Sequence, residues 1–218
     1  MEASQVLDSI CQEKAVAIVR GVLSKDMTEV VKALKHGGIT NVEVTFNHNS
    51  DQGMANTLES IRGIKEEFGD SVNVGAGTVL SPREVEQAVG AGAEYIISPN
   101  TNVDVIKRTK ELGKISIPGA LSPSEACLAW ENGADIVKMF PAGALGVSYL
   151  KAVSHSLSHI PLCAVGGITV ENVEDFLKAG IRCFGIGGNL VSPEIVKNGE
   201  FQRIQEEAGR YRKVLERY

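Results

Sequence analysis

Eight short apolar runs, separated by stretches of helical periodicity, constrain this 218-residue chain more than any other feature. They fall at residues 15–20, 41–46, 72–75, 94–98, 115–118, 135–140, 161–165 and 183–187. Each is nearly continuous in Val, Ile, Ala and Phe instead of alternating apolar with polar. That is how a parallel strand buried on both faces reads, and parallel strands need a crossover, normally a helix, between each pair.

The junctions repeat as well. In His36-Gly-Gly, Ala91-Gly, Asn132-Gly and Ala179-Gly a glycine ends a helix and a strand follows within a few residues; glycine takes the left-handed conformation there at little cost. At the opposite junctions, Ser81-Pro-Arg-Glu and Ser122-Pro-Ser-Glu each supply an N-cap serine, a first-turn proline and a glutamate for a capping box, with looser versions at Thr169 and Ser192. Eight strand–helix units predict a single-domain α/β protein over residues 1–218, a (β/α)8 TIM barrel, with residues 2–12 as an extra N-terminal helix. The rival, a doubly wound open sheet, lacks its signature: Arg20-Gly-Val-Leu-Ser follows the first strand where G-x-G-x-x-G is required.

The charge balance of 22 basic against 27 acidic residues is net acidic, and its lysines and arginines are scattered, which argues against a nucleic-acid partner. No long apolar run marks a membrane span, and the acidic first residues do not read as a secretory signal, so a cytoplasmic location is expected. Cys11, Cys127, Cys163 and Cys183 show no C-x-x-C spacing and read as reduced thiols, not as disulfides or zinc ligands. His36, His155 and His159 give no metal-ligand spacing, His48 reads as an exposed loop residue, and no metal or cofactor is expected.

In a barrel of this kind the chemistry belongs to polar residues near the C-terminal ends of the strands. Lys138 interrupts the sixth apolar run, and period-two geometry puts it on one face with Ile136 and Phe140. Enclosure penalises an ammonium, and an uncharged amine can attack a ketone. Glu43 interrupts the second run and shares a face with Thr45. A carboxyl among valines is raised in pKa unless a nearby cation offsets the desolvation, and Lys138 is a candidate for that cation. Gly75-Ala-Gly-Thr78 near the third strand's end would let a ligand approach the backbone, and Ser98-Pro99-Asn follows the fourth strand. Gly166-Gly167 and Gly187-Gly188-Asn189, after the seventh and eighth strands, offer backbone amides beside helix N-termini, where many barrels hold a phosphate. Arg20, ending the first strand, could clamp a carboxylate or phosphate.

Taken together, Glu43-Val-Thr, Gly75-Ala-Gly-Thr-Val, Ile97-Ser-Pro, Ile117-Pro-Gly, Val137-Lys-Met-Phe-Pro-Ala, Gly166-Gly-Ile and Ile186-Gly-Gly resemble, in order over nearly the whole chain, the 2-keto-3-deoxy-6-phosphogluconate / 2-keto-4-hydroxyglutarate aldolase family. The resemblance implies a metal-free class I aldolase, usually a homotrimer, acting on a small phosphorylated keto acid. It implies Lys138 as the imine-forming lysine and Glu43 as the proton carrier. Thr78 and Pro99 would seat the pyruvyl part, Phe140 would wall the site, and Gly166, Gly167, Gly188 and Asn189 would hold the phosphate, with Arg20, Thr45 and Asn47 completing the substrate-binding set. Three positions depart from the family pattern: Asn47 stands where an arginine associated with the pyruvyl carboxylate is expected, Val165 for a threonine, and Asn189 for a serine. Arg20 is the candidate to supply the missing charge. The alternatives are a sugar-phosphate isomerase or epimerase using Glu43 and Lys138 without an imine, a non-catalytic phosphosugar-binding protein, and a flavin barrel.

Overall fold

The protein is described by a computed structural model covering residues 2–218. Its strands are β1 (Ala15–Val19), β2 (Asn41–Thr45), β3 (Asn73–Gly77), β4 (Tyr95–Ile97), β5 (Ile115–Ile117), β6 (Gly119–Ala120), β7 (Val137–Met139), β8 (Leu162–Val165) and β9 (Cys183–Ile186). Every pairing is parallel, in the order β5-β4-β3-β2-β1-β9-β8-β7-β6. β5 and β6 are two halves of one stave: Pro118, which has no N–H, interrupts the ladder between them. The Pro118 carbonyl still accepts from Lys138 N–H at 2.8 Å, and the Ile117 carbonyl from Ser98 N–H at 3.2 Å, so the eight-stave barrel closes. The expected fold is therefore the observed one.

The main crossover helices are α2 (Met27–His36), α3 (Asp51–Phe68), α4 (Pro82–Gly90), α5 (Val103–Glu111), α6 (Pro123–Glu131), α8 (Val147–Ser156), α9 (Val173–Lys178) and α11 (Phe201–Leu215), with short helices α7 (Ala142–Leu145) and α10 (Pro193–Lys197) on the loops after β7 and β9. Their caps follow the sequence closely. The Ser122 side chain accepts from Glu125 N–H and Glu125 reaches back, a closed capping box. Ser81 caps α4 in the same way, but Glu84 turns instead to Leu80 N–H and to His48. The helix after β8 starts later than Thr169 suggested: Asn172, whose side chain accepts from Thr169 N–H, precedes the first helical residue, Val173.

The sheet divides two apolar layers. Val42, Val44, Val74, Ala76, Ile96, Val137 and Met139 face the helices, whereas Val16, Ile18, Tyr95, Ile97, Ile115, Ile117, Ile136, Cys163, Val165 and Cys183 form the lumen cluster. The extra helix α1 (Ala3–Glu13) plugs that lumen from the strands' N-terminal end, inserting Val6 and Ile10, both fully buried. Polar groups seal the plug. Glu13 accepts from Thr40 N–H, from the Thr40 hydroxyl and from Asn41 Nδ2, and Asn73 Nδ2 donates to Ser9 Oγ and to Asn41 Oδ1. The lumen is thus closed at one end, and chemistry is confined to the other.

Candidate active site

Lys138 and Glu43 both lie on the lumen face, with Lys138 6% and Glu43 1% exposed. Their neighbours Val137, Met139, Val42 and Val44 pack outward against the helices, so the alternation read from sequence holds on both strands. Burial pushes the Glu43 carboxyl above the usual carboxylate range, and the charges of Lys138 and Arg20 partly offset this. Glu43 Oε2 is buried without a hydrogen-bond partner, an acceptor left open inside the site.

Contacts radiate from this pair. The Lys138 ammonium lies 5.1 Å from the centroid of the Phe140 ring, within cation–π range. Phe140 is 38% exposed and packs beside Gly166, where a Cβ would come within 3.3 Å of its ring. On the other side Arg20 reaches from β1 across to the loop after β3, where its Nη2 donates to Thr78 Oγ1 at 3.2 Å. Thr78 takes φ +58°, a left-handed conformation that a β-branched residue adopts only under constraint. Arg20, Thr78, Glu43, Lys138, Phe140 and Gly166 are therefore brought together at one end of the barrel.

The glycines within β3 have a different purpose from the one their sequence suggests. A Cβ on Gly77 would sit 1.6 Å from Glu43 Oε1, and one on Gly75 would sit 2.1 Å from the Tyr95 ring. The space left by these glycines is filled by the protein's own side chains, not by a ligand. Gly119 is held to hydrogen similarly, since its Cβ would lie 2.4 Å from the carbonyl of Pro99. Sequence reading missed Gly77 as the seat of the glutamate and Tyr95 as a lumen residue; the signal was the register Glu43, Gly75, Tyr95 across three strands, which is visible only once the strands are paired.

The two glycine loops lie together. Asn189 Nδ2 donates to the Ile168 carbonyl at 3.0 Å, and Gly143 N–H to the Gly166 carbonyl at 2.7 Å, tying the loops after β7, β8 and β9 to one another. The N–H groups of Gly167, Gly188 and Asn189 have no backbone partner among the described residues and are open to an anion. Asn47 is held on its own turn: its Oδ1 accepts from Asn49 N–H, its side chain presses on Gly53, and with Thr45 it borders a cavity of about 260 Å³ at the ends of β1 and β2. His48 pairs with Glu84 on the outer rim. No group of three or more His, Cys, Asp or Glu side chains able to hold a metal ion occurs among the described residues.

Comparison with known proteins agrees with this geometry. The family model described as KDPG and KHG aldolase matches residues 7–207. The 2-dehydro-3-deoxy-6-phosphogalactonate aldolase of Escherichia coli (strain K12) is 35% identical over 176 residues, 80% of this chain and 83% of the relative. The 2-dehydro-3-deoxy-phosphogluconate aldolase of Pseudomonas aeruginosa is 30% identical over 216 residues, 97% of this chain and 93% of the relative. Among solved structures, a KDPG aldolase from Legionella pneumophila with pyruvate captured at low pH as a covalent carbinolamine superimposes with a TM-score of 0.82 at 26% identity, covering 93% of this chain and 96% of that one. The family model's match along residues 7–207, together with these relatives at 30% and 35% identity, shows that this chain belongs to the KDPG and KHG aldolase family.

Proposed function

We propose that Lys138 and Glu43 are the catalytic pair of a class I aldolase that splits a phosphorylated 2-keto-3-deoxy sugar acid into pyruvate and a phosphorylated aldehyde. The observation that carries this assignment is the enclosure of both groups in one lumen, with the glutamate's proton affinity raised by burial and answering to the lysine's charge. Lys138 Nζ attacks the C2 ketone, giving a carbinolamine that loses water to form a protonated imine. Glu43 supplies the proton for the departing hydroxyl. As a carboxylate it then takes the proton of the C4 hydroxyl while the C3–C4 bond breaks. The electron pair moves into the imine and leaves an enamine, which is protonated at C3 and hydrolysed to pyruvate, releasing the amine. A carboxyl with raised pKa suits both halves of this cycle.

Arg20 is the proposed clamp for the keto acid's carboxylate. It already spans the mouth from β1 to Thr78 and lies close enough to Glu43 to affect its ionisation, whereas Asn47 is folded back on its own turn. Thr78 and Pro99 border the pyruvyl end and Phe140 forms a wall. The open amides of Gly167, Gly188 and Asn189, together with Gly166, receive the phosphate. Thr45 is assigned to the edge of the site beside Asn47. Residence in the cytoplasm accords with four free cysteines and with the lack, among the described residues, of any helix long and apolar enough to cross a membrane. A homotrimer is the proposed assembly.

Incubation with pyruvate and borohydride followed by peptide mass spectrometry tests the assignment. The reduced pyruvyl adduct is expected on Lys138 and absent in Lys138→Ala; an adduct elsewhere, or none, rejects it and leaves the imine-free isomerase reading. Arg20→Ala should raise KM for the keto acid about tenfold or more, the effect expected for loss of a charge-assisted carboxylate contact. An unchanged KM removes Arg20 from the site.

A further inference from the structure

At the end of the barrel opposite Lys138, a cleft of about 470 Å³ opens between α8, α9 and the segments leading into β1, β8 and β9. Lys14, Lys151, His155, Lys178 and Arg182 line it, and no carboxylate side chain does. Cations are common where helices end, because the last carbonyls carry partial negative charge, and two of these five are accounted for in that way: His155 and Lys178 lie in the last turns of α8 and α9, and Lys178 is also spent on Glu174 at 2.7 Å. Lys14, Lys151 and Arg182 are not. Lys151 sits in the body of α8, Arg182 lies on the loop entering β9, and none of the three side chains has a hydrogen-bond or ion-pair partner among the described residues. Lys14 is moreover held at φ +58°, outside the conformations a lysine prefers. Burial and the Asp8 carboxylate push the Cys11 thiol up, and the charges of Arg182 and Lys14 oppose them, so Arg182 and Lys14 both lie near that end of α1.

Three cations without an ion-pair partner around one concavity make it a local positive patch in a chain of net charge −5. We propose that this cleft is a second binding site, for a small anion bearing two or more linked phosphoryl groups. Three cations on three separate segments around one cleft suit an anion with more than one charged group better than a single phosphate. The rest of the cleft suits such a ligand's remaining atoms: Ile160 and Ile181 form an apolar floor, and the Tyr218 ring is fixed at its border by the hydroxyl's bond to Glu174. The site lies at the entrances of β8 and β9, the two strands whose far ends carry the glycine loops, and it does not depend on the roles proposed for Lys138 and Glu43.

Calorimetric titration with inorganic tripolyphosphate tests this, using the intact protein and the double variant Lys14→Ala/Arg182→Ala. The wild type should bind, and raising the salt concentration should weaken binding. The double variant should bind about tenfold or more weakly, as expected for loss of two charge-assisted contacts, while its aldolase kcat and KM stay unchanged. Lys151→Ala alone should weaken binding to a smaller extent. Equal affinity in wild type and double variant would place the probe at the glycine loops and overturn the proposal, as would absence of binding to the wild type up to about 10 mM, the range of non-specific association.

Discussion

At the scale of single residues, two glycines that are indistinguishable in the string Gly75-Ala-Gly77 have separate duties, and substitution should separate them. Gly77→Ala places a methyl group in the volume of the Glu43 carboxyl, so the glutamate must leave its position. Loss of a positioned acid/base group lowers kcat by about 10²–10⁴-fold, which is the expected upper range for this variant in a pyruvate-release assay. Gly75→Ala collides with the Tyr95 ring, which is anchored in the lumen, and should act first on stability, by about 1–3 kcal/mol or more in denaturant unfolding. If the two variants lose kcat to the same extent without a difference in stability, the glutamate seat is wrongly assigned to Gly77. The buried carboxyl also leaves a mark on the pH dependence of stability. Because its folded pKa lies above the unfolded one, the folded state holds the proton more tightly, and stability declines as pH rises from the ordinary carboxylate value through the raised one. Glu43→Gln removes that decline. Its melting temperature should exceed the wild type's by more at about pH 8, above the carboxylate range, than at about pH 4.5, the ordinary carboxylate value; a shift of equal size at both would show that ionisation of Glu43 does not destabilise the fold.

At the scale of elements, the strands and their caps were legible because each follows from local chemistry: continuous apolar runs for two-sided burial, Ser-Pro pairs for helix starts, glycine for helix ends. Lys138 and Glu43 were legible for the converse reason, as charges placed where the strand pattern demands apolar side chains. What escaped was everything that depends on pairing. The seating of Glu43 on Gly77 and the packing of Tyr95 over Gly75 depend on which strand lies beside which, and one sequence does not state its register. The plug is the clearest instance. α1 was expected as a helix, yet its task of closing the lumen rests on Ser9 and Glu13 meeting Asn41, Asn73 and Thr40, polar residues far apart in the chain. Ile10, fully buried in the apolar lumen cluster, should lose about 2–5 kcal/mol on truncation to Ala. Urea unfolding checks this; a loss under about 1 kcal/mol would mean that the plug is loosely held and the lumen stays shut without it.

At the scale of the whole molecule, the barrel keeps its two ends apart in character. The floor is sealed by α1 and carries the cation-lined cleft on one side, while the mouth carries the lysine, the glutamate and the glycine loops. The mouth also carries apolar surface: Leu80 is 40%, Leu121 50% and Phe140 38% exposed, on the loops after β3, β6 and β7. Two of these segments are held in place although their side chains face water, the Leu80 carbonyl accepting from Asn102 Nδ2 and the Leu121 carbonyl from the Tyr149 hydroxyl. Ordered, exposed leucines at one rim are the kind of surface that association covers. In the proposed homotrimer, sedimentation should give roughly 70 kDa, three times the 23.3 kDa of one chain, and closed three-fold symmetry would bury the same rim on every copy. Leu80→Asp/Leu121→Asp puts charges into that contact, so its sedimentation should fall toward the single-chain mass, with a concentration dependence absent from the wild type. A wild type sedimenting at 23.3 kDa removes the trimer. A trimeric double variant keeps it and moves the contact to another face, leaving the mouth open to solvent on all three copies.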